Sequence, residues 1–341
     1  MNRTDGALFV AWAPYGRRSE LLAAELGARM YFIHNLKYKV PIYAPLKYVP
    51  QSVRTLRVLL SERPRVVFVQ NPPFVCGLVV WLYCLLSGAR FVLDHHTDAF
   101  ARRWAWARPV QTFLARRALT NLVTGSHWAE TVRSWGARAF ILPDPFVTLP
   151  EGEPFAVRPG FNVVFINTFA ADEPTDAVVQ AAARCPDVHF YITGNTARRP
   201  ASYFANLPAN VTFTGFLPDA QYFGLLRAAQ AVMALTTRDF TLQGGGCEAV
   251  SLGKPLITSD WPFLRELFAR GAVYVENTSD GICAGVGVMR QRHQELEREV
   301  LAFRQERRRE WDERFAQLGA IVASAEARRG AALSQQSEER L

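Results

Sequence analysis

The chain has 341 residues, 49% apolar and 21% charged, with a formal net charge of +8. That balance excludes a wholly disordered chain, a collagen-like repeat and a polytopic membrane protein, and the length suits about two domains with large cores. The charge is uneven: residues 1–150 hold 19 Lys/Arg against 8 Asp/Glu (net +11), the rest 20 against 23 (net −3). A basic first half suits a polyanionic partner such as an anionic membrane, a phosphate-bearing substrate or nucleic acid; since the basic residues lean to arginine, a high-GC coding bias that supplies part of the charge is the plainer reading. The cysteines Cys76, Cys84, Cys185, Cys247 and Cys283 are scattered and odd in number. They fit a reducing compartment and argue against a zinc site or a disulfide framework. Met1–Gly6 is polar and the apolar run Ala7–Ala13 is short, so no signal peptide is expected.

In chain order, Ala7–Ala13 reads as a buried strand ended by Pro14-Tyr15-Gly16. Ser19–Leu26 reads as a helix with Ser19 as cap, Gly27 as stop, and Leu22 and Leu26 on one face. Met30–Asn35 is a strand, Val53–Leu60 a helix, and Arg65–Gln70 an apolar strand of the parallel-sheet kind. Phe74–Ser87 is apolar but shorter than the ~20 residues that a spanning helix needs. Lying between two strand patterns, it reads as a buried crossover helix. Arg90–Leu93, Asn121–Thr124 and Ala139–Leu142 are further strands. Pro143–Gly160, with prolines at 143, 145, 150, 154 and 159, is the clearest linker. The alternation then restarts with strands at Asn162–Ile166, His189–Thr193, Val211–Thr214, Ala231–Leu235, Pro255–Thr258 and Val273–Val275. Helices are expected at Thr175–Ala183, Gln221–Arg227 and Gly246–Leu252. Gln291–Arg329 reads as a charged helix pair and Gly330–Leu341 as a disordered polar tail. The expected fold is α/β: two Rossmann-like doubly wound halves facing a cleft, with function in the turns after the strands.

The strongest of those turns is Thr236–Ala249. Gly244, Gly245 and Gly246 open a helix, where bare amides and the helix dipole suit a diphosphate. Glu248, in the first part of that helix, can accept hydrogen bonds from a ribose diol. A flexible loop ended by an acidic residue that favours the dipole is the plainer reading.

Here the residues resemble a family. Gly246–Ser259 resembles the "E-A-x-x-x-G-x-P-V-I-x-S" segment of GT-B glycosyltransferases, the large retaining group that uses nucleotide sugars. Asp172-Glu173-Pro174 falls in the first donor-domain turn, and Val211–Phe216 resembles the "V-x-F-x-G" strand whose following loop borders the base. Val69–Pro73 and Leu93–His96 resemble "Q-N-P-P" and "I-D-W-H" of the β-1,4-mannosyltransferase that extends a dolichol-linked chitobiose. The resemblance implies a GT-B fold, with residues 1–143 as acceptor domain, 144–160 as linker, 161–290 as donor domain and 291–329 as helices crossing back. It implies a hexosyltransferase that uses a UDP- or GDP-sugar as substrate, with no separate cofactor. Glu248 fits the second glutamate of the family's Glu-x7-Glu pair, which holds the ribose hydroxyls. Phe240 stands where the first is expected, with Asp239 adjacent as a substitute. The basic residues that normally meet the diphosphate are missing from Asn167–Asp176, so Arg198 (beside Arg199) and Lys254 are candidates for the charge. Thr193, Gly194 and Phe216 complete the expected donor side.

His95 and His96 follow a strand and are flanked by Asp94 and Asp98. A neutral imidazole can take a proton from an acceptor hydroxyl, so His96, then His95, with Asp94 to orient the ring, form the candidate catalytic group. Loop histidines that satisfy backbone groups are the alternative, and no metal is expected. Asn71 and Ser126 are candidate acceptor contacts with Asp98; for Ser126 the cap of a helix Trp128–Ser134 is the stronger reading. Phe100–Ala118 interleaves Trp104, Trp106 and Phe113 with five arginines, and Tyr38, Lys39, Tyr43, Lys47 and Tyr48 form a second basic-aromatic stretch. Both suit an anionic bilayer surface; no nucleic-acid motif is present. The expected enzyme is cytoplasmic and peripheral on the inner face of the plasma membrane. It glycosylates a lipid-linked or glycan hydroxyl in polysaccharide or glycoconjugate synthesis. A nucleotide-sugar hydrolase or epimerase, or a non-catalytic binding subunit, are the competing readings.

Overall fold

The computed structural model describes residues 6–35, 44–144 and 148–338, with the side chains of 44–45 and 325–338 left aside. Contacts divide the chain into one unit, Met1–Pro145 with Trp311–Leu341, and a second, Phe146–Glu310.

The first unit is built on six parallel strands: β1 (Ala7–Ala11), β2 (Arg29–Phe32), β3 (Val66–Asn71), β4 (Arg90–His95), β5 (Asn121–Val123) and β6 (Ala139–Ile141). Their order is β2-β1-β3-β4-β5-β6. Helices α1 (Arg17–Leu26), α2 (Ala44–Glu62), α3 (Phe74–Ser87), α4 (Arg108–Arg117) and α5 (Ser126–Ser134) make the crossovers. The strands β3 and β4 are almost wholly buried, which is why they read as unbroken apolar runs rather than alternating ones. Helix α3 has the predicted bounds and ends at Gly88, whose φ of 69° is the left-handed turn that stops a helix. Helix α2 is longer than expected: Pro50 lies inside it, and the sequence reading begins the helix only after that proline. The core on one sheet face joins Val67, Val69, Val80 and Leu93, with residues of α2 and α4. The opposite face buries Phe9, Phe68 and Leu22 against Trp311, Phe315, Leu318 and Val322. Those four recur at helical spacing along the last helix.

The second unit has strands β7 (Phe161–Phe165), β8 (Val188–Thr193), β9 (Val211–Gly215), β10 (Ala231–Ala234), β11 (Leu256–Ser259) and β12 (Ala272–Val275), all parallel, in the order β12-β11-β10-β7-β8-β9. Its helices are α6 (Thr175–Arg184), α7 (Asp219–Ala228), α8 (Gly244–Leu252), α9 (Pro262–Leu267) and α10 (Ser279–Gln291). One continuous helix, α11 (His293–Glu338), stands where the pair was expected and runs on through most of the polar tail. The middle of the proline-rich segment packs on α7: a Cβ at Gly224 would fall 1.8 Å from the Glu153 carbonyl, and Arg227 donates to the carbonyls of Leu149 and Pro150. All five cysteines are free, but the fold brings the sulfurs of Cys185 and Cys283 together between α6 and α10.

Two predicted caps take other roles. Gly16 precedes α1, and the Ser19 hydroxyl instead donates to Gln70 Oε1 on β3 at 3.1 Å. Gly125 precedes α5, so exposed Ser126 is the first helical residue.

Candidate functional site

In the second sheet the strand order reverses between β7 and β10, and the turns leaving such neighbouring strands are where doubly wound sheets take ligands. The two turns are tied together: Thr237 N donates to the Asp172 carbonyl at 2.8 Å and Thr236 Oγ1 to the Asp172 carboxylate at 3.0 Å. Gln243 Nε2 donates to the Leu235 carbonyl at 2.7 Å and closes the base of the loop between them. Inside the loop Asp239 Oδ1 accepts the Phe240 amide at 2.7 Å, and Phe240 takes a left-handed φ of 54°. For a residue with a bulky Cβ that conformation costs about 1–2 kcal/mol, so the surrounding bonds hold it in place.

Helix α8 leaves this loop. Its three glycines have different reasons to be glycine. A Cβ on Gly246 would lie 2.5 Å from the Phe268 ring, and one on Gly245 3.0 Å from Ile166, so both serve close packing of the helix. A Cβ on Gly244 would meet nothing within 4 Å. Gly244 is exposed, so close packing does not account for a glycine at this end of the helix. One turn on, Glu248 is half-buried, and Tyr222 Oη on α7 donates to its Oε2 at 2.5 Å. An ionised carboxylate offers about four lone-pair sites, so one that accepts from a phenol can accept further hydroxyl hydrogens.

The remaining predicted donor residues divide. Thr193 is buried, and its hydroxyl accepts the Asn167 amide at 3.0 Å. Gly194, at φ 111°, lets the turns after β7 and β8 approach; a Cβ there would fall 2.4 Å from the Asn167 carbonyl. Both shape the turn from inside. Lys254 follows the far end of α8, about 13 Å from Gly244 at 1.5 Å rise per residue. Its ammonium donates to the Ala229 carbonyl at 2.8 Å, and burial lowers its pKa. It therefore stands away from the α8 N-terminus. Arg198 is exposed, donates to the Thr168 carbonyl at 2.6 Å, and with Arg199 lines a cavity of about 420 Å³. Glu173 fills the inner side of that turn: its carboxylate accepts the amides of Thr168 and Ala170, both at 2.8 Å, and the Thr168 hydroxyl at 3.0 Å. Burial raises the Glu173 pKa against those bonds. Phe216, 81% exposed, follows Gly215 at the end of β9.

In the first unit, Asp94 and His95 end β4 and His96 follows. Asp94 is fully buried and accepts from Arg18 Nε and Nη2, the latter at 2.8 Å. Burial alone would raise its pKa, but the Arg18 charge and the His96 hydrogen bond outweigh it and hold the carboxyl well below the usual range. Arg18 also donates to Asp144 at 2.6 Å and to the Leu142 carbonyl at 3.0 Å. An ionised carboxylate only accepts, so His96 Nε2, 3.2 Å from Asp94 Oδ2, carries the proton. The lone pair of a neutral His96 then lies on Nδ1, the nitrogen a general base would use. Its side chain keeps 25% of its surface accessible.

His95 is different. Asn121 Nδ2 donates to the carbonyls of Ala115 and Arg138, which fixes Asn121 Oδ1 as an acceptor for His95 Nε2–H at 2.9 Å. His95 Nδ1 in turn accepts from Asn71 Nδ2 at 2.9 Å. With both nitrogens engaged and the pKa pushed down to about 4 by burial, this ring braces the strand ends and stays neutral near pH 7, its one proton held on Nε2. Asn71 is likewise buried. Asp98 is paired with Arg103.

The sequence reading gives Arg18, Asn121 and Tyr222 no role at the site. Arg18 carried a signal, since it shares the buried face of α1 with Leu22 and Leu26 at four-residue spacing. Asn121 lies 26 residues from His95 and Tyr222 26 residues from Glu248, and no local pattern marks them. Among the described residues no group of three or more His, Cys, Asp or Glu could hold a metal ion, and no helix is long and apolar enough to cross a membrane.

Residues 175–320 match a family described as Glycosyl transferase-like. No curated protein matches the sequence. HepE of Anabaena, solved in complex with UDP-glucose, is similar in structure, with a TM-score of 0.67 at 14% identity over 92% of this chain and 99% of that one. Sucrose-phosphate synthase of Thermosynechococcus elongatus gives 0.68 at 14% identity over 94% and 89%. A putative UDP-N-acetylglucosamine 2-epimerase of Listeria monocytogenes gives 0.55 at 12% over 87% and 91%. The chain has the GT-B α/β fold of these structures, and that fold with the family match over residues 175–320 supports a glycosyltransferase.

Proposed function

We propose that the protein transfers a hexosyl group from a UDP- or GDP-sugar to a hydroxyl of a lipid-linked or glycan acceptor. The observation that carries the reading is the open N-terminus of α8 at Gly244, with Glu248 one turn on and braced by Tyr222. In this reading the α8 amides stabilise the leaving diphosphate and Glu248 accepts the ribose hydroxyls. Arg198 is the candidate for the missing positive charge, and Asp239 or the loop around Phe240 meets the sugar. His96, through Nδ1, is the base for the acceptor hydroxyl, and Asp94 orients it. Asp98 and Ser126 border the acceptor. The likeness of Val69–Pro73 and Leu93–His96 to the chitobiose mannosyltransferase favours a lipid-linked acceptor, glycoconjugate or polysaccharide synthesis, and work at the inner face of an anionic membrane. HepE binds UDP-glucose, which favours a uridine nucleotide.

The likeness to the 2-epimerase favours a second reading, in which the donor is hydrolysed or epimerised without an acceptor. Incubation with each UDP- or GDP-sugar, alone and with a polyprenyl-diphosphate glycan, separates the two. Sugar appearing on the lipid only when both are present supports transfer. Free sugar or a 2-epimer from donor alone, at turnover rate, replaces it. Nucleotide binding with neither product leaves a non-catalytic subunit.

A further inference from the structure

Helices α2 and α3 lie side by side on one face of the first sheet, and both run from the carboxyl ends of its strands toward the amino ends. Their final turns and the starts of β3 and β4 therefore share one edge. That edge carries large apolar side chains in water: Leu60 is 63% exposed, Leu82 42%, Leu85 64% and Leu86 81%. On α2 the same outward stripe continues through Val53 to Val49. A short exposed cluster of this kind on a soluble unit marks a contact surface.

Its surroundings are cationic. Arg57, Arg63, Arg65 and Arg90 are exposed around the leucines. Arg65 and Arg90 start neighbouring strands, where the Arg90 amide donates to the Arg65 carbonyl at 3.0 Å. Residues 44–118 contain eleven Lys/Arg and three acidic residues. Those three are engaged: Glu62 with Arg29 and Tyr31, Asp94 in the core with Arg18, and Asp98 with Arg103. No free carboxylate among the described residues of that stretch offsets the charge.

We propose that the α2–α3 edge, through Leu60, Leu82, Leu85 and Leu86 within their ring of arginines, docks the first unit onto an anionic lipid bilayer. The leucines enter the headgroup boundary and the arginines meet lipid phosphates. Charge decides against a second copy of the chain, because apposing two such edges sets arginine against arginine. The stretch the sequence favoured, Phe100–Ala118, is the weaker anchor: Trp104 packs against Phe74 in the core, Arg116 donates to the Trp135 carbonyl, and only Trp106 of its tryptophans is largely exposed. In the second basic-aromatic stretch Tyr38, Lys39 and Tyr43 lie outside the described residues, and Lys47 is buried. The docking does not rest on the glycosyltransferase reading, since none of its residues belongs to the proposed donor or acceptor machinery.

The test is flotation of the full chain with vesicles of phosphatidylcholine alone or mixed with phosphatidylglycerol. The wild type is expected to float with the mixed vesicles at low salt and to be released by salt. Leu85→Ser/Leu86→Ser should lower the bound-to-free ratio about tenfold or more, given the methylene groups withdrawn from the bilayer. Arg65→Gln/Arg90→Gln should lower it and flatten the salt dependence. Circular dichroism and thermal unfolding check that each variant is folded; if the serine pair is not, Leu86→Gln alone, at the most exposed site, serves in its place. A wild type that stays behind on phosphatidylglycerol vesicles, or folded variants that float equally well, overturns the proposal. So does a concentration-dependent dimer, seen by light scattering, that the leucine variant abolishes without any flotation.

Discussion

Replacing Asp94 by asparagine keeps the side-chain shape and removes one buried charge. In the wild type that carboxylate accepts from Arg18 Nη2 at 2.8 Å and from His96 Nε2 at 3.2 Å, with no exposure to water. Breaking a buried ion pair from one side costs about 3–5 kcal/mol. Arg18 keeps Asp144 and the Leu142 carbonyl, and the asparagine oxygen still accepts from it, so a loss near the lower end, about 3 kcal/mol, is expected. The pH dependence has a definite sign. The folded carboxyl sits below its ordinary value of about 3.9, so its stabilisation is complete above that value and is lost as pH falls through the acid range. The gap between wild type and variant, from urea unfolding followed by circular dichroism, should be constant from about pH 5 to 8 and should narrow below about pH 4. Asparagine also changes His96. With its oxygen toward Arg18, its NH2 faces Nε2, which must then accept, and the proton moves to Nδ1. On the proposed role of His96 as base, glycosyl transfer should therefore fall by about 10²–10⁴-fold, the usual contribution of a general base. A loss below about 1 kcal/mol, with a gap that is the same at pH 3.5 and pH 7, would refute the assignment of Asp94 as an ionised anchor.

Gly246→Ala should destabilise by about 1–3 kcal/mol because its Cβ meets Phe268, whereas Gly244→Ala should leave chemical denaturation nearly unchanged and weaken nucleotide binding. His95, with its pKa pushed down to about 4, should show no imidazole titration by NMR between pH 8 and pH 5.5; a midpoint near 6.5 would mean the ring is not locked between Asn71 and Asn121. Trp311→Ala should cost about 3–5 kcal/mol in urea unfolding, because that ring is 1% exposed and stacks on Phe315.

Parallel strands buried on both faces announce themselves as apolar runs, and glycines placed after helices mark their ends. This is why β3, the stop at Gly27 and the ends of α3 at Ser87 and of α8 at Leu252 were legible. The beginning of α2 was not, because a proline reads locally as a breaker and tertiary packing overrides it at Pro50. The candidate site was legible only where neighbours in sequence are neighbours in space, as in Asp94-His95-His96 and Gly244–Glu248. What separates His96 from His95 is decided by Arg18 and Asn121, which reach β4 and its turn from 76 and 26 residues away. The three adjacent glycines looked equivalent in sequence, and only the positions of Ile166 and Phe268 show that Gly244 alone is free of packing demands. Lys254 looked suitable by its place after the motif, yet helix length carries it to the wrong end of α8.

The most direct measurement is a calorimetric titration of UDP, UDP-glucose and GDP into the wild type and Glu248→Ala. A carboxylate that accepts ribose hydroxyls contributes about 1.5–3 kcal/mol, so the variant should bind the preferred nucleotide at least about tenfold more weakly while unfolding at a similar temperature. Equal affinity in both proteins, or no heat with any of the three ligands, would contradict a nucleoside-diphosphate site at the open end of α8.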